Sequence, residues 1–421
     1  MRGTRARTWS LLVDSLPLVV SYIATIGGAS WIVRHSGAAE LSAYLIISVF
    51  CPQIGLWSDW GRGTALLVRA QGDGDAYLRQ VSSLVRRLPL VSVPTIAVGT
   101  VLLVSLPLSG QLNGRALFEV SLASATAALL ISTGNALRGA LLATDRRSAY
   151  FWSQLWVAAG IPVFVAILGD VSLGILLSGV SYLLQQAVLL RKMWQPEAGS
   201  TRRRRQTRSA FLRGDGLSWA IGGTQLVTAA SVAVELPLLV ALAPQTVLPY
   251  YAITRLAQGL VSVVNRPIER GLPDVVKAVA SNGAAAKQAA AEWASAVRIA
   301  VAVAVAGGLV LSPAAGYLST LWLGDKASPS WLLILVVLLG TVVVLLYRVA
   351  ASEAIAEREG RRLMQMSLLD LVVKVSFALL LVAFAGAEGM AAAALASSVA
   401  ALLASRRLRL ARTSTWSSVV A

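Results

Sequence analysis

The stretch WSDWGRGTALLVRAQGDGD, residues 57–75, begins inside an apolar run and ends in a polar loop. It places Asp59 and Arg62 where a membrane-spanning segment is expected to carry no charge. The 421-residue chain around it is 56% hydrophobic and only 14% charged, with a mean hydropathy of +0.70. Soluble proteins of this length are far less apolar, so we predict an integral membrane protein.

Apolar runs of about 20 residues, long enough to cross a bilayer, recur along the whole chain with short polar breaks between them. The runs lack the alternating period of barrel strands, so the spans are predicted to be helices. The predicted fold class is an all-α polytopic membrane protein with about 12 transmembrane helices in two six-helix lobes. The predicted spans are 9–33, 38–67, 88–108, 116–140, 148–168, 171–190, 216–242, 246–266, 292–314, 328–350, 364–385 and 387–405.

Basic residues are distributed unevenly between the loops on the two sides of the membrane. If the N-terminus is cytoplasmic, the opposite loops hold only Arg34, Arg115 and Lys326, and the cytoplasmic segments hold the other loop arginines and lysines. The positive-inside rule then places both termini in the cytoplasm and requires an even number of helices. It also explains the net charge of +17 without a nucleic-acid partner, because the basic residues are scattered over many short loops.

One long polar segment divides the chain near its midpoint. We predict an N-terminal lobe at 1–190, a basic cytoplasmic linker at 191–215, a C-terminal lobe at 216–405 and a cytoplasmic tail at 406–421. The linker contains the run Arg202–Arg205. Such a juxtamembrane run is typical of segments attracted to anionic membrane lipids.

Several classes of function are disfavoured by what the sequence lacks. The predicted external loops are short, which leaves no room for the acceptor-binding domain of a membrane glycosyltransferase or polymerase, so an enzyme is not expected. Cys51 and His35 are the single cysteine and the single histidine, so neither a disulfide within the chain nor a metal site is expected. No phosphate-binding loop with the required lysine and spacing is present.

Four groups of motifs resemble one family in chain order. The stretch 60–75, with WGRGTALLVR followed by a GDGD loop, is similar to the second helix and first cytoplasmic loop of the polysaccharide-transporter branch of the multidrug/oligosaccharidyl-lipid/polysaccharide exporter superfamily. VELPLLVAL at 234–242 with PYYAITRL at 249–256 resembles its seventh-to-eighth helix hairpin. LWLG at 321–324 and GMAAAA at 389–394 are similarly placed. Glu235 stands where the family more usually has an aspartate.

This resemblance implies a fold, a mechanism and a cellular setting. Members of the branch have two lobes around a central cavity, like the multidrug and toxic compound extrusion (MATE) transporters, and work by alternating access. Those that resemble Wzx flippases move polyprenyl-pyrophosphate-linked oligosaccharide to the outer leaflet of the bacterial cytoplasmic membrane. The expected partners are this lipid-linked oligosaccharide and the polysaccharide assembly machinery.

Charged residues within the predicted spans are the candidate site residues, because each costs several kcal/mol unless it faces a partner or a wet cavity. Asp59 and Arg62 are three residues apart, and Asp370 and Lys374 are four apart, so each pair could neutralise itself on one helical face. Asp14, Glu235 and Arg255 are the further candidates inside the spans, whereas Glu119, Arg266, Arg298 and Arg348 lie near span ends and are expected to reach the interface.

Two functional roles remain open for these charges. Arg62, Arg255 and Lys374 are candidates to bind a lipid-linked pyrophosphate. Arg255 is the strongest of them because no acidic residue lies at helical spacing from it, and Glu235 on a neighbouring helix is a candidate partner.

The carboxylates give the second role. Asp14 and Glu235 are candidates to take up the protons or Na⁺ that drive transport, with Asp59 and Asp370 as ion-coupling or charge-pairing residues; no other cofactor is expected. Such carboxylates keep open the alternative of a cation-coupled multidrug exporter of the same fold. A peptidoglycan-precursor flippase is a third candidate, although such proteins usually have additional helices.

Overall fold

The computed structural model is almost entirely helical, with no strand, in the residues that it describes. Twelve helical elements are used below, and the longest, α12, is two helices that meet at a kink at Gly386. The structure describes residues 16–17, 20, 23–28, 30–32, 34–35, 38–58, 66, 74–110, 112–144, 146–153, 155–191, 216–266, 268–269, 271–272, 275–276 and 284–410. The helices are α1 (Ala38–Trp57), α2 (Gly74–Thr100), α3 (Gly114–Ala143), α4 (Arg147–Trp152), α5 (Leu155–Leu168), α6 (Val171–Arg191), α7 (Gly216–Ala233), α8 (Glu235–Leu242), α9 (Val247–Val264), α10 (Ala284–Leu323), α11 (Trp331–Ala356) and α12 (Gly360–Leu410).

Seven helical segments in the described part of the chain are long and apolar enough to cross a membrane. Their outward faces are apolar: Val310 on α10 and Phe384 on α12 are 75% and 89% exposed. Such faces suit lipid, which solvates apolar side chains. The seven segments are Gly114–Leu141, Val171–Leu190, Ala220–Leu239, Pro244–Val264, Ala290–Leu323, Trp331–Ala356 and Gly360–Arg407, and shorter apolar helices occur at Ile23–Ile32, Ser92–Ser105 and Ala159–Leu168.

The protein is therefore an all-helical, multi-pass membrane protein, which confirms the predicted fold class. The segment Gly360–Arg407 contains the predicted spans 364–385 and 387–405. At 48 residues it extends for about 70 Å at 1.5 Å per residue, more than twice the thickness of the hydrocarbon core. A reversal is required within it, and Gly386, with φ 52° and ψ −124°, supplies the break.

Contacts divide the chain into two compact units, and the first is Val20–Leu226, called the N-terminal unit below. Its helix α3 packs against α1, α2 and α6, and α5 packs against α6. Glycines permit the close approach of α3 and α6: a Cβ on Gly134 would meet the Tyr182 ring at 2.5 Å, and one on Gly179 would meet Ala127 at 3.0 Å. Small residues at helix contacts are the usual means of packing helices in membranes.

The second unit contains Val227–Ala421 together with the described residues of Met1–Val19, and it is called the C-terminal unit. Here α9 packs against α10 and α11, α10 against α11, and α12 against both α8 and α11. Buried side chains from α8, α9, α11 and α12 form its apolar core, including Leu239, Ile253, Leu333 and Met390.

The predicted lobes are not tested by this division. The boundary between the units, at Leu226 and Val227, falls within α7. The linker predicted at 191–215, with its arginine run, and the tail predicted at 406–421 lie mostly outside the described residues. The lobe boundaries therefore stay a prediction.

Candidate functional site

A helix break in the C-terminal unit positions the first site residue. Helix α7 ends at Ala233 and α8 begins at Glu235, with Val234 between them. Pro237 has no N–H to donate to the Ala233 carbonyl, so the sequence interrupts the hydrogen-bond ladder at this point. Glu235 lies in the first turn of α8, directly after this interruption.

Glu235 forms an ion pair with Lys374 of α12. The Lys374 Nζ donates to Glu235 Oε1 at 2.8 Å, and the hydroxyl of Tyr250 on α9 donates to Oε2 at 2.8 Å. The Lys374 side chain is 8% exposed and that of Glu235 is 17% exposed. Both carboxylate oxygens are thus hydrogen-bonded, as a buried carboxylate requires.

Asp370 lies one helical turn before Lys374 on α12 and accepts two hydroxyl hydrogen bonds. Ser231 Oγ donates to Oδ2 at 2.7 Å, and Ser397 Oγ donates to Oδ1 at 2.8 Å. The contacts Ser231 to Asp370 and Glu235 to Lys374 both span 139 residues. The equal offset means that α7 and α8 run parallel to the first half of α12 and present two successive turns to it.

This geometry corrects the hypothesis that Asp370 and Lys374 neutralise each other along one helix. Lys374 pairs with Glu235 on another helix, and Asp370 uses serine hydroxyls instead. The reason is the direction of the side chains. Asp370 and Lys374 both face the α7–α8 segment, where the Ser231 hydroxyl lies opposite Asp370 and the Glu235 carboxylate lies opposite Lys374. Below, Glu235, Lys374, Asp370, Tyr250 and Ser231 are called the polar cluster.

Arg255 is placed apart from Glu235, so the predicted cross-helix pair between them does not form. On α9 its Nη1 donates to Gln258 Oε1 at 3.1 Å, and its guanidinium lies 5.1 Å from the centroid of the Tyr251 ring. Its Nη2 is buried without a hydrogen-bond partner. Arg255 is therefore a partly buried cation with one donor left over.

The other predicted site residues, Asp14, Asp59 and Arg62, lie outside the described residues. Their roles, including the self-paired alternative for Asp59 and Arg62, stay predictions. Within the part of the chain that the structure describes, no group of three or more histidine, cysteine, aspartate or glutamate side chains has the geometry to hold a metal ion.

Sequence reasoning missed Arg138 of α3. It lies inside the predicted span 116–140, and its side chain is buried, at 8% exposed. Its guanidinium lies 3.7 Å from the centroid of the Tyr150 ring, and its Nε donates to the Tyr150 carbonyl at 3.1 Å. A charged residue inside a predicted span was the available signal.

Comparison with solved structures identifies the architecture. The chain superposes on a mutant of the MATE transporter VcmN from Vibrio cholerae with a TM-score of 0.67 and 17% identity, covering 98% of this chain and 99% of that one. An outward-facing MATE family multidrug resistance transporter matches with a TM-score of 0.68 and 18% identity, covering 97% and 96%.

The chain has the MATE fold. A third neighbour is a MOP superfamily transporter from Pyrococcus furiosus, whose binding pocket is described as having reverse polarity that suggests a different function. It matches with a TM-score of 0.67 and 17% identity, covering 97% of this chain and 96% of that one. No protein-family model and no curated protein matches the sequence.

Proposed function

We propose that this protein is a secondary exporter of the multidrug/oligosaccharidyl-lipid/polysaccharide superfamily that works by alternating access and is coupled to a proton or Na⁺ gradient. It is supported by the MATE fold over nearly the whole chain. The observation that supports coupling to an ion gradient is the polar cluster. Two carboxylates and one ammonium group lie within membrane-spanning segments and are hydrogen-bonded to one another or to hydroxyls.

The charge of the polar cluster suits one monovalent cation. With Glu235 and Asp370 ionised and Lys374 protonated, the cluster carries a formal charge of −1, since two negative charges and one positive charge are present. An uncompensated charge in the hydrocarbon region is costly, so binding one proton or one Na⁺ would bring the cluster to neutrality. Lys374 acts as a tethered cation that competes for Glu235, which links ion binding to release of the α8 to α12 contact.

Transport into proteoliposomes tests this function. We expect an imposed proton or Na⁺ gradient to drive transport of a cationic dye such as ethidium by the wild type. Glu235→Gln should lose this gradient-driven transport. Glu119→Gln is the matched control, because Glu119 is an exposed glutamate, paired with Arg115, on a helix of the other unit. Equal transport by Glu235→Gln and wild type would show that the polar cluster does not couple transport to the ion gradient.

A second candidate is the flippase for polyprenyl-pyrophosphate-linked oligosaccharide. Arg255 favours it, since its Nη2 lacks a hydrogen-bond partner and, among the described residues, no carboxylate pairs with its guanidinium, which suits a phosphate. The sequence resemblance to Wzx-type proteins also favours it, and the Pyrococcus furiosus neighbour is a transporter whose pocket of reverse polarity suggests a different function.

Leaflet exchange of a fluorescent polyprenyl-pyrophosphate oligosaccharide in liposomes separates the two candidates. The flippase requires exchange by the wild type and slower exchange by Arg255→Ala, with Arg298→Ala as a control for an exposed arginine of the same unit. Absence of exchange by folded wild type, together with active dye transport, would leave the multidrug exporter.

The proposed location is the bacterial cytoplasmic membrane, with both termini in the cytoplasm. Labelling tests the orientation in a Cys51→Ala background. We expect Arg115→Cys to react with an impermeant maleimide from outside intact cells and Arg406→Cys to react only after lysis. The opposite pattern would reverse the topology. No catalytic step forms part of this proposal.

A further inference from the structure

Arg138 is a buried cation in the N-terminal unit that has no carboxylate partner in the part of the chain that the structure describes. Its guanidinium is held by the Tyr150 ring and carbonyl, and its Nη2 is buried without a hydrogen-bond partner. Among the described residues no carboxylate forms an ion pair with it. A cation within a membrane-spanning helix is expected to be compensated by an anion, so this arrangement is incomplete.

The polar neighbours of Arg138 also carry donors without acceptors. Asn135, one turn earlier on α3, accepts from the Tyr182 hydroxyl through Oδ1 at 2.7 Å, which leaves its Nδ2 without a partner. Gln186, one turn after Tyr182 on α6, is fully buried, and neither its Nε2 nor its Oε1 has a partner. Gly179 of α6 lies against Ala127 of α3, and Tyr182 lies against Gly134 and Asn135, so the two helices run in the same direction. The next turn of each helix therefore brings Gln186 to the level of Arg138.

This set of groups is chemically complementary to an oxyanion. It offers N–H donors from a guanidinium and two amides, and it carries one positive charge that a neutral ligand would leave uncompensated. Stacking on Tyr150 fixes the plane of the guanidinium, so little side-chain freedom is lost when an anion binds. Phosphate, with several acceptor oxygens and negative charge, fits such a fork of donors.

We propose that Arg138, Asn135 and Gln186 form a binding site for the phosphate of a membrane-lipid headgroup. Arg138 is five residues from the end of α3 at Ala143, which is about 7.5 Å along the helix axis, so the site lies near one end of the membrane span. The positive-inside rule assigns this end of the helix to the cytoplasmic leaflet, whose lipids are rich in anionic headgroups. The site lies inside the N-terminal unit and does not depend on which substrate is transported.

Lipid-dependent stability of the purified full-length protein in neutral detergent tests the site. The unfolding midpoint is measured while phosphatidylglycerol is titrated into the micelles, with diacylglycerol as a phosphate-free lipid control and sodium phosphate against chloride as the soluble arm. We expect phosphatidylglycerol to raise the midpoint and Arg138→Gln to weaken its apparent affinity at least about tenfold, as loss of a charge-assisted hydrogen bond predicts.

Two further variants keep the test decisive if Arg138→Gln folds poorly. Gln186→Leu leaves the cation in place but removes neighbouring donors, so it should weaken phosphatidylglycerol binding severalfold. Arg146→Gln is the matched control, because it removes an exposed arginine at the same end of the same unit and should change the affinity less than about threefold.

The arms of the experiment identify the ligand. Stabilisation by phosphatidylglycerol alone that depends on Arg138 and Gln186 supports a lipid headgroup site. Equal stabilisation by sodium phosphate would overturn the lipid assignment and leave a site for free phosphate. If Arg138→Gln and Arg146→Gln reduce the stabilisation equally, or if Gln186→Leu leaves it unchanged, the proposed site is wrong. General attraction between the basic protein and anionic lipid would then explain the stabilisation.

Discussion

Replacing Lys374 with methionine isolates the ion pair at the centre of the polar cluster. The change removes the ammonium group that lies 2.8 Å from Glu235 Oε1 and keeps an unbranched, apolar side chain of similar length. Both partners are largely buried, at 8% and 17% exposed, so water cannot replace the lost charge effectively. The Glu235 carboxylate is left with the Tyr250 hydroxyl as its hydrogen-bond donor.

The expected cost follows from this geometry. Removing one partner of a buried ion pair costs about 3 to 5 kcal/mol, because the other charge stays buried and uncompensated. The Tyr250 hydrogen bond to Glu235 remains, so we expect the lower end of this range, about 3 kcal/mol, for Lys374→Met. The double variant Glu235→Gln with Lys374→Met leaves no buried charge at this position and should cost about 1 kcal/mol, since neutral replacements of a buried pair are well tolerated.

The assay is reversible unfolding of the purified protein in mixed micelles for the wild type, both single variants and the double variant. The four free energies form a double-mutant cycle, from which we expect a coupling energy of about 2 kcal/mol or more. Arg298→Met is the control: Arg298 is exposed, so this substitution should cost less than about 0.5 kcal/mol. A coupling energy below about 0.5 kcal/mol would refute the conclusion that Glu235 and Lys374 compensate each other.

Three further predictions concern packing and charge, and thermal unfolding of the purified variants checks each. Gly139→Ala would place a Cβ against the Tyr77 hydroxyl and should cost about 1 to 3 kcal/mol, and adding Tyr77→Phe should recover part of this loss; a purely additive double variant would contradict the clash. Gly386→Ala should cost about 1 to 3 kcal/mol, because φ is 52° and the new Cβ would meet Thr246 Cγ2 at 2.9 Å; an unchanged midpoint would mean that this backbone conformation is not required. Arg362→Met should cost about 3 kcal/mol, because it leaves three glutamates without the cation they share, whereas a loss below about 0.5 kcal/mol would show that solvent compensates them.

Composition and spacing were sufficient to predict the helical membrane fold, because apolar run length depends only on the bilayer thickness. They also selected Glu235, Asp370 and Lys374 as buried charges, since a charge within an apolar run is visible without a structure. The partners of these charges were not predictable. Helical spacing pointed to Asp370 for Lys374, but the actual partner is 139 residues away and is fixed by the register between two helices.

Arg138 and Arg255 also have surroundings that could not be predicted from the sequence. The sequence marks each as an arginine within a span, but the donor that lacks a partner appears only when the surrounding helices are in place. Asp14, Asp59 and Arg62 remain untested predictions, since they lie outside the described residues.

The 139-residue separation between Glu235 and Lys374 also has a consequence during synthesis. At 5 to 20 residues per second, the ribosome adds Lys374 about 7 to 28 s after Glu235. Tyr250 follows Glu235 by only 15 residues, so its hydroxyl is available almost at once. Glu235 is therefore made before its counter-ion exists, and the Tyr250 hydroxyl is the polar partner that reaches its carboxyl group first. The ion pair can form only when α12, which carries Lys374, has been made, so this contact between helices is completed late in synthesis.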